Sequence, residues 1–354
     1  GTVINNTPEG VLPVDQPVTL QFFSDGDWTS IYTSTVKVDG TFVFGDLDAL
    51  IGQDFVTRVE YEGVEYFSTP AVLEDSVDVE LFIYDSTDDP SEIRIDQAHF
   101  FIVPIENTLQ IAEYYLLGNG GVKTYSGRSN SDSGTRVTTS FPLPEGAANL
   151  KFDGPGLGER YIGDAFAFSD TRPVPPGEAT IDVSFQYEIA LSPDLVINRV
   201  NYLPVSSAVF IISGGELGLQ GDGINFTGIM DTQMGPAASY TAGPMTSMEP
   251  LSFRVVPLTE GEFSQAMADT PATKLPRQRN ASQETVIGAV ILIISVVIAF
   301  QLWGATPKPA VPDTAENLLS QIARLDIAYE SDEVSEDIYQ SRRKALVRQV
   351  RDLV

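Results

Sequence analysis

The chain has 354 residues, with 21 Lys+Arg against 49 Asp+Glu for a net charge of −28, one histidine and no cysteine. That balance repels phosphate backbones and anionic lipid, which sets nucleic-acid binding aside, and the absence of thiols excludes disulfides, thiolate metal sites and cysteine nucleophiles. The charge is uneven: residues 286–303 carry none, 304–354 carry 7 basic and 9 acidic, and 1–285 therefore hold 14 against 40.

Residues 1–84 read as short strands separated by turn signals. "PVTLQFF" (17–23), "TSTVKVDGTFVFGDL" (33–47), "DFVTRVEYEGVEYFS" (54–68) and "SVDVELFIY" (76–84) alternate or run β-branched and aromatic. Asp39-Gly40 between "TVKV" and "TFVF" predicts a two-residue hairpin turn, since both positions take φ > 0. Glu62-Gly63 predicts a second. Strands this closely spaced predict a small sandwich. The sequence starts at Gly1 without an initiator Met, as expected of a chain whose signal peptide has been removed or that has been trimmed.

Gly1-Thr2-Val3-Ile4-Asn5-Asn6-Thr7, then "VTLQFF", "VDGTFVFGDL" and "DFVTRVEYEGVEYFS", resemble the carboxypeptidase regulatory-like domain. The resemblance covers 1–85. It implies a transthyretin-like β-sandwich of about seven strands, an accessory module without catalytic residues of its own, and an envelope setting.

"DSTDDPSE" (85–92) reads as a charged linker. Strand patterns then recur over 93–257: "IRIDQAHFFIVPI", "TLQIAEYYLLGN", "TRVTTSFPLP", "ATIDVSFQYEIAL", "LVINRVNYLPVSSAVFIIS" and "LSFRVVPL". Pro/Gly stretches such as "PLPEGAANLKFDGPGLGER" separate them, and the whole predicts a second, larger antiparallel sandwich. "HFFIVPIENTLQIAEYYLLGNGG" and "SFPLPEGAANLKF" are similar to uncharacterised bacterial envelope domains that precede a single span.

No catalytic constellation is visible in this region, so no cofactor, metal site or catalytic residue is expected. His99, the sole histidine, sits among apolar neighbours in "QAHFFIV" and reads as structural. "SDGDW" (24–28) and "DSTDDPSE" offer carboxylates for Ca²⁺ but do not match the D-x-[DN]-x-[DN]-G loop, and so read as solvated turns. The glycines of "GGELGLQGDGINFTG" (214–228) lack the Lys-Ser/Thr of a phosphate cradle and read as strand-joining turns. Trp28, in an Asp/Gly loop, is a weak candidate for a ligand platform.

After a linker at 258–285, Val286 to Trp303 is uncharged and long enough to cross a bilayer. Val286, Ile291, Ile294 and Val297 would face lipid, and Trp303 would anchor at the interface. Lys274, Arg277 and Arg279 precede this span, and by local charge they would hold the body in the cytoplasm. Long domains translocate largely regardless of charge, and an all-β, cysteine-free body fits the outside, so a single-pass plasma-membrane protein with an extracytoplasmic body and a cytoplasmic tail is expected.

In 304–354 a Pro-rich spacer, "ATPKPAVP", gives way to helical periodicity. Asp313 with Glu316 forms a capping-box variant. Leu318, Leu319, Ile322, Leu325 and Tyr329 mark one apolar face. "ESDEVS" breaks the helix, and Ile338, Tyr339, Ala345, Leu346, Val350 and Leu353 line a second. Two short amphipathic helices cannot bury their faces alone, so this α-hairpin should meet a protein partner, a second copy or the membrane surface.

The run Leu325-Asp326, Tyr329-Glu330, an acidic turn, Ser335-Glu336 with Tyr339, Arg342-Arg343 and Leu346 resembles the hairpin of bacterial short C-terminal domains. It is also similar to the cytoplasmic segment of a cytochrome c maturation protein, although this chain has no CxxCH and no second span. The expected role is non-catalytic binding or assembly. The alternatives are an accessory subunit of a membrane enzyme system such as cytochrome c maturation, or a carbohydrate or cell-surface binding module.

Overall fold

The computed structural model describes residues 1–258, apart from 25–26, 130–134, 164–165, 215–216 and 233–234. The linker, the expected membrane helix 286–303 and the α-hairpin all lie outside the described residues. Among the described residues the chain is mainly β, and no helix there is long and apolar enough to cross a membrane.

The N-terminal region is built on an antiparallel sheet in the order Asp27–Thr35, Pro17–Ser24, Asp54–Tyr61, Val64–Phe67, with Ala71–Val72 added beside Asp54 and Phe55. Period-2 alternation decides which residues face inward. Val18, Leu20 and Phe22 are buried from one strand, and Phe55, Thr57 and Val59 from its neighbour. A second layer is the pair Thr2–Asn5 and Glu80–Ile83, whose Val3, Leu81 and Ile83 complete one core with Val18, Val36, Phe42, Val59, Val64 and Tyr66. A smaller cluster holds Leu20, Phe22, Phe55 and Leu73.

Of the two predicted hairpin turns, Glu62-Gly63 joins Tyr61 to Val64 with φ of 51° and 76°, the left-handed pair that a two-residue turn requires. Asp39-Gly40 does turn, with Gly40 at φ +82 and Gly40 N donating to Lys37 O at 2.9 Å. The chain beyond it does not return along 33–37 as a strand. Phe42 N donates to Gly1 O and Val3 N to Gly40 O, both at 2.9 Å, so this segment is claimed by the chain's first residues. The expected strand at 41–47 is corrected accordingly: Thr41 makes one bridge, to Thr2, and the run ends in a 3-10 turn at Asp48–Leu50.

The second region carries a seven-stranded sheet in the order Ala148–Phe152, Gly177–Ala190, Thr108–Asn119, Ile93–Ile105, Ala208–Ser213, Gly235–Ala242, Asn225–Thr232. Two three-stranded sheets cover one of its faces, Thr139–Pro142 with Ala167–Asp170 and Tyr161–Gly163, and Val196–Val200 with Pro250–Pro257 and Leu217–Gln220. Their Phe141, Phe168, Ile197 and Phe253 pack on Tyr115, Phe185, Phe100 and Phe210 in a single aromatic-rich core. Strands at 148–152, 217–220 and 225–232 stand in segments that their glycines had marked as loops. Burial and ladder pairing override that local signal.

The sheets are not antiparallel throughout, as the sequence had led us to expect. Thr2–Asn5 with Glu80–Ile83, Ser86–Thr87 with Thr124–Tyr125, and Ile93–Ile105 with Ala208–Ser213 run parallel. Parallel neighbours need a long crossover, and about a hundred residues of intervening chain, carrying one small sheet and the first strand of the other, supply it between 105 and 208.

The segment 85–92 is also more than a linker. Asp85 accepts from Asn5 Nδ2 at 2.9 Å and from the Tyr61 hydroxyl at 3.3 Å, and pairs with Lys123 at 3.5 Å. The Asn5 bond comes first among the causes that hold the Asp85 carboxyl below its usual range. Tyr66 adds a hydroxyl 2.9 Å from Thr124 Oγ1.

Candidate functional site

The residues singled out in the sequence are placed as follows. His99 is buried, on the face of its strand opposite the core-lining Ala98 and Phe100, its ring parallel to Phe101 and tilted against Tyr114. Its Nε2 lies 3.1 Å from Gln97 Oε1, and Nδ1 has no partner. Burial pushes its pKa down from 6.5 to about 4, so the ring is neutral at neutral pH. Trp28 stands opposite Phe23 in the first sheet, and its side chain lies outside the described residues. Among the described residues no three of His, Asp and Glu converge as a metal site would require. The proposed hairpin and anchor residues also lie outside them.

Charges that do enter the interior close on one another. Glu113 lies on the inward face of Thr108–Asn119 and is 1% exposed. Its Oε2 accepts from Tyr115 at 2.5 Å and from Arg199 Nη2 at 2.6 Å, and its Oε1 accepts from Tyr187 at 2.5 Å. Arg199, itself 1% exposed, also donates through Nη1 to Pro142 O. Burial raises both tyrosine hydroxyls and keeps them as donors. For Arg199 burial is the largest single effect and works the other way, but Glu113, Tyr115 and Tyr187 together outweigh it, so its pKa is raised and the guanidinium stays charged. This network ties the seven-stranded sheet to both small sheets. A similar closure holds Asp170, which Arg160 grips through Nε and Nη2 with a shortest contact of 2.6 Å. Glu113 and Arg199 were not singled out in the sequence. The signal was there, a charge on the apolar phase of "LQIAEYYL" and its opposite in "INRV".

One open site is built in the N-terminal region. A cavity of about 490 Å³ lies between the 42–51 segment, the 73–79 segment and the two central strands of the first sheet. The segments are held by backbone bonds: Gly52 N donates to Leu73 O at 2.8 Å, Leu73 N to Gln53 O at 2.9 Å, and Thr2 N to Val79 O at 2.9 Å. Leu20, Phe44, Leu47, Phe55, Leu73 and Val77 give it apolar walls. Its lining also holds five carboxylates, Asp46, Asp48, Glu74, Asp75 and Asp78, with no Lys, Arg or His and one cation, the Gly1 ammonium, 3.5 Å from Asp78. The first four have no side-chain hydrogen bond or ion pair with any described residue. Thr57, opposite Leu20 in the ladder, lines the cavity, is 1% exposed, and has no hydrogen-bond partner for its Oγ1.

No family model matches the chain, and no curated protein matches it. The geometry above is therefore the ground for any functional reading. In chemical terms the cavity presents mainly negative charge at its opening, over a floor of buried core side chains.

Proposed function

We propose that this is a single-pass envelope protein with a non-catalytic binding or assembly role, its β body outside the membrane and its α-hairpin in the cytoplasm. In this reading the body comprises two consecutive β-sandwich domains, the first of the carboxypeptidase regulatory-like kind, and residues 286–303 anchor it. The observation that carries the reading is the open cavity, where Asp46, Asp48, Glu74 and Asp75 have no partner among the described residues while the second region's buried charges are closed on internal partners. A surface whose charges are not used internally is available to a partner. The lone histidine favours binding over catalysis as well: it is buried, neutral and tied to Gln97.

Protease added to intact spheroplasts should remove residues 1–285 and spare the tail. Protection of the body would overturn the orientation. For the hairpin, Leu325→Asp with Leu346→Asp puts charge into the proposed seam, where an unpaired buried charge is costly. Cross-linking to the cytoplasmic partner should then be lost while the β body keeps its circular-dichroism spectrum. Undiminished cross-linking would remove the hairpin from the assembly.

A further inference from the structure

The glycine-rich run 214–228 holds, besides its turns, the tripeptide Asn225-Phe226-Thr227. Asn-x-Ser/Thr, with x other than Pro, is the acceptor pattern for N-linked sugar, and the modified asparagine must stand at the protein surface. The chain has three such tripeptides, beginning at Asn5, Asn225 and Asn280. Asn280 lies outside the described residues. The structure separates the other two.

Asn5 is built into the fold. Its amide nitrogen donates to Val11 O at 2.8 Å and to Asp85 Oδ1 at 2.9 Å, and its Oδ1 accepts from Thr7 N at 3.0 Å. Gly10 lies so close that a Cβ there would meet this amide at 2.5 Å. A sugar on the Asn5 nitrogen would break these bonds and displace the turn. Asn225 is the opposite case. It follows the Asp222-Gly223 turn, where Gly223 takes φ +76, and opens an edge strand of the seven-stranded sheet, paired on one side only. Phe226 turns toward the core, its ring edge-on to Tyr240 with centroids 5.3 Å apart. By period-2 alternation Asn225 therefore stands on the other face. There it meets Thr241 across the ladder, and Thr227 Oγ1 donates to Ser239 Oγ at 3.0 Å. Asn225, Thr227 and Thr241 are all exposed. The Asn225 amide makes one long bond among the described residues, 3.3 Å to Gly223 O in its own turn. Losing it costs the fold little.

We propose that Asn225 is a site of N-linked glycosylation, an inference that rests on the extracytoplasmic placement of the body proposed above. The co-substrate is an oligosaccharide carried on a polyprenyl phosphate or diphosphate. Asn225 Nδ2 forms the new bond to the anomeric carbon of the first sugar. The bond from that carbon to the phosphate oxygen breaks, the lipid phosphate leaves with its electron pair, and the amide gives up one proton. Nothing is oxidised or reduced. Thr227 supplies the hydroxyl that completes the acceptor tripeptide. On the folded protein the sugar extends from the sheet edge into solvent.

The test takes the full-length chain from the membranes of its own cells and digests it with trypsin. The peptide between Arg199 and Arg254 contains Asn225 and no other acceptor tripeptide, and mass spectrometry should find it with sugar on Asn225. The peptide with Asn5 should be bare. Asn225→Gln and Thr227→Val should each lose the sugar completely. Thr227→Ser keeps the hydroxyl and should retain it, which separates loss of the acceptor from loss of the fold. A bare Asn225 in the native chain, sugar on Asn225 that survives Thr227→Val, or sugar on Asn5 in the folded chain overturns the proposal. Protease treatment of spheroplasts distinguishes this failure from failure of the topology. A bare Asn225 on a body that the protease removes overturns the glycosylation alone, and so does sugar on Asn280 with Asn225 bare. A bare Asn225 on a protected body overturns both.

Discussion

The two β regions treat charge in opposite ways. In the second, Glu113, Arg199 and Asp170 are taken into the core and each is closed by two or more donors or acceptors. In the first, the buried set is apolar with few polar members, and of the five carboxylates around the open cavity only Asp78 has an internal partner, the Gly1 ammonium. An interior ion pair specifies how layers dock, because it tolerates little displacement before the desolvation cost is exposed. An unpaired surface carboxylate specifies nothing inside and is free to act on a partner. The difference separates the part of the molecule that fixes shape from the part that can recognise.

The largest test of that contrast is Arg199→Met. It leaves the Glu113 carboxylate buried without its cation, and removing one partner of a buried pair costs about 3–5 kcal/mol. Denaturant unfolding should show that loss, and Glu113→Gln added to Arg199→Met should recover part of it. A cost below about 1 kcal/mol would mean the pair does not organise the layers.

His99 gives the next effect. The unfolded chain takes up a proton near pH 6.5, and the folded one only near 4. Its contribution is complete above pH 6.5 and is lost as pH falls through that window, at about 1.4 kcal/mol per unit and on the order of 3 kcal/mol in all. His99→Leu should flatten that part of the stability–pH curve. An unchanged slope would assign it to the carboxylates.

Thr57→Val tests the first region from within. A buried hydroxyl without a partner costs stability, so the isosteric apolar replacement should raise the unfolding free energy by about 1 kcal/mol. A lower value would mean that the hydroxyl is satisfied in solution, and the cavity would lose its polar feature.

Much of this architecture was legible in the sequence. The strands Ile93–Ile105 and Thr108–Asn119 coincide with the runs read there, and Glu62-Gly63 forms the turn its residue types require. What escaped had non-local causes. The 42–47 segment has strand composition, but the Phe42 backbone is taken by Gly1, some forty residues away, and the Val43 backbone by the Ser34 hydroxyl. Gly-rich strands such as Leu217–Gln220 and Asn225–Thr232 owe their state to neighbours in the sheet. The candidate site was the least legible part. Asp46 and Glu74 are ordinary loop acids until the fold brings their segments to one opening. Thr57 did leave a trace, as a polar residue on the apolar phase of "DFVTRVEY", and so did Glu113 in "LQIAEYYL". Period-2 patterning reports that such a residue is inward. It cannot say whether a partner waits there, as for Glu113, or none does, as for Thr57.

The smallest effect is expected at the cavity opening, and it bears directly on the contrast. Asp46, Glu74 and Asp75 are exposed and hold no described residue, so Asp46→Asn/Glu74→Gln/Asp75→Asn removes no interaction the fold uses. Asp46 has φ +58, a conformation that asparagine accepts as readily as aspartate, so the backbone is not strained by the change. Removing three like charges from a strongly acidic surface relieves repulsion. Stability should rise by roughly 0–0.5 kcal/mol, with the gain largest at low salt. Thermal unfolding at two ionic strengths measures both size and sign. A loss greater than about 1 kcal/mol would show that these carboxylates do structural work, and the first region would then use its charges as the second does.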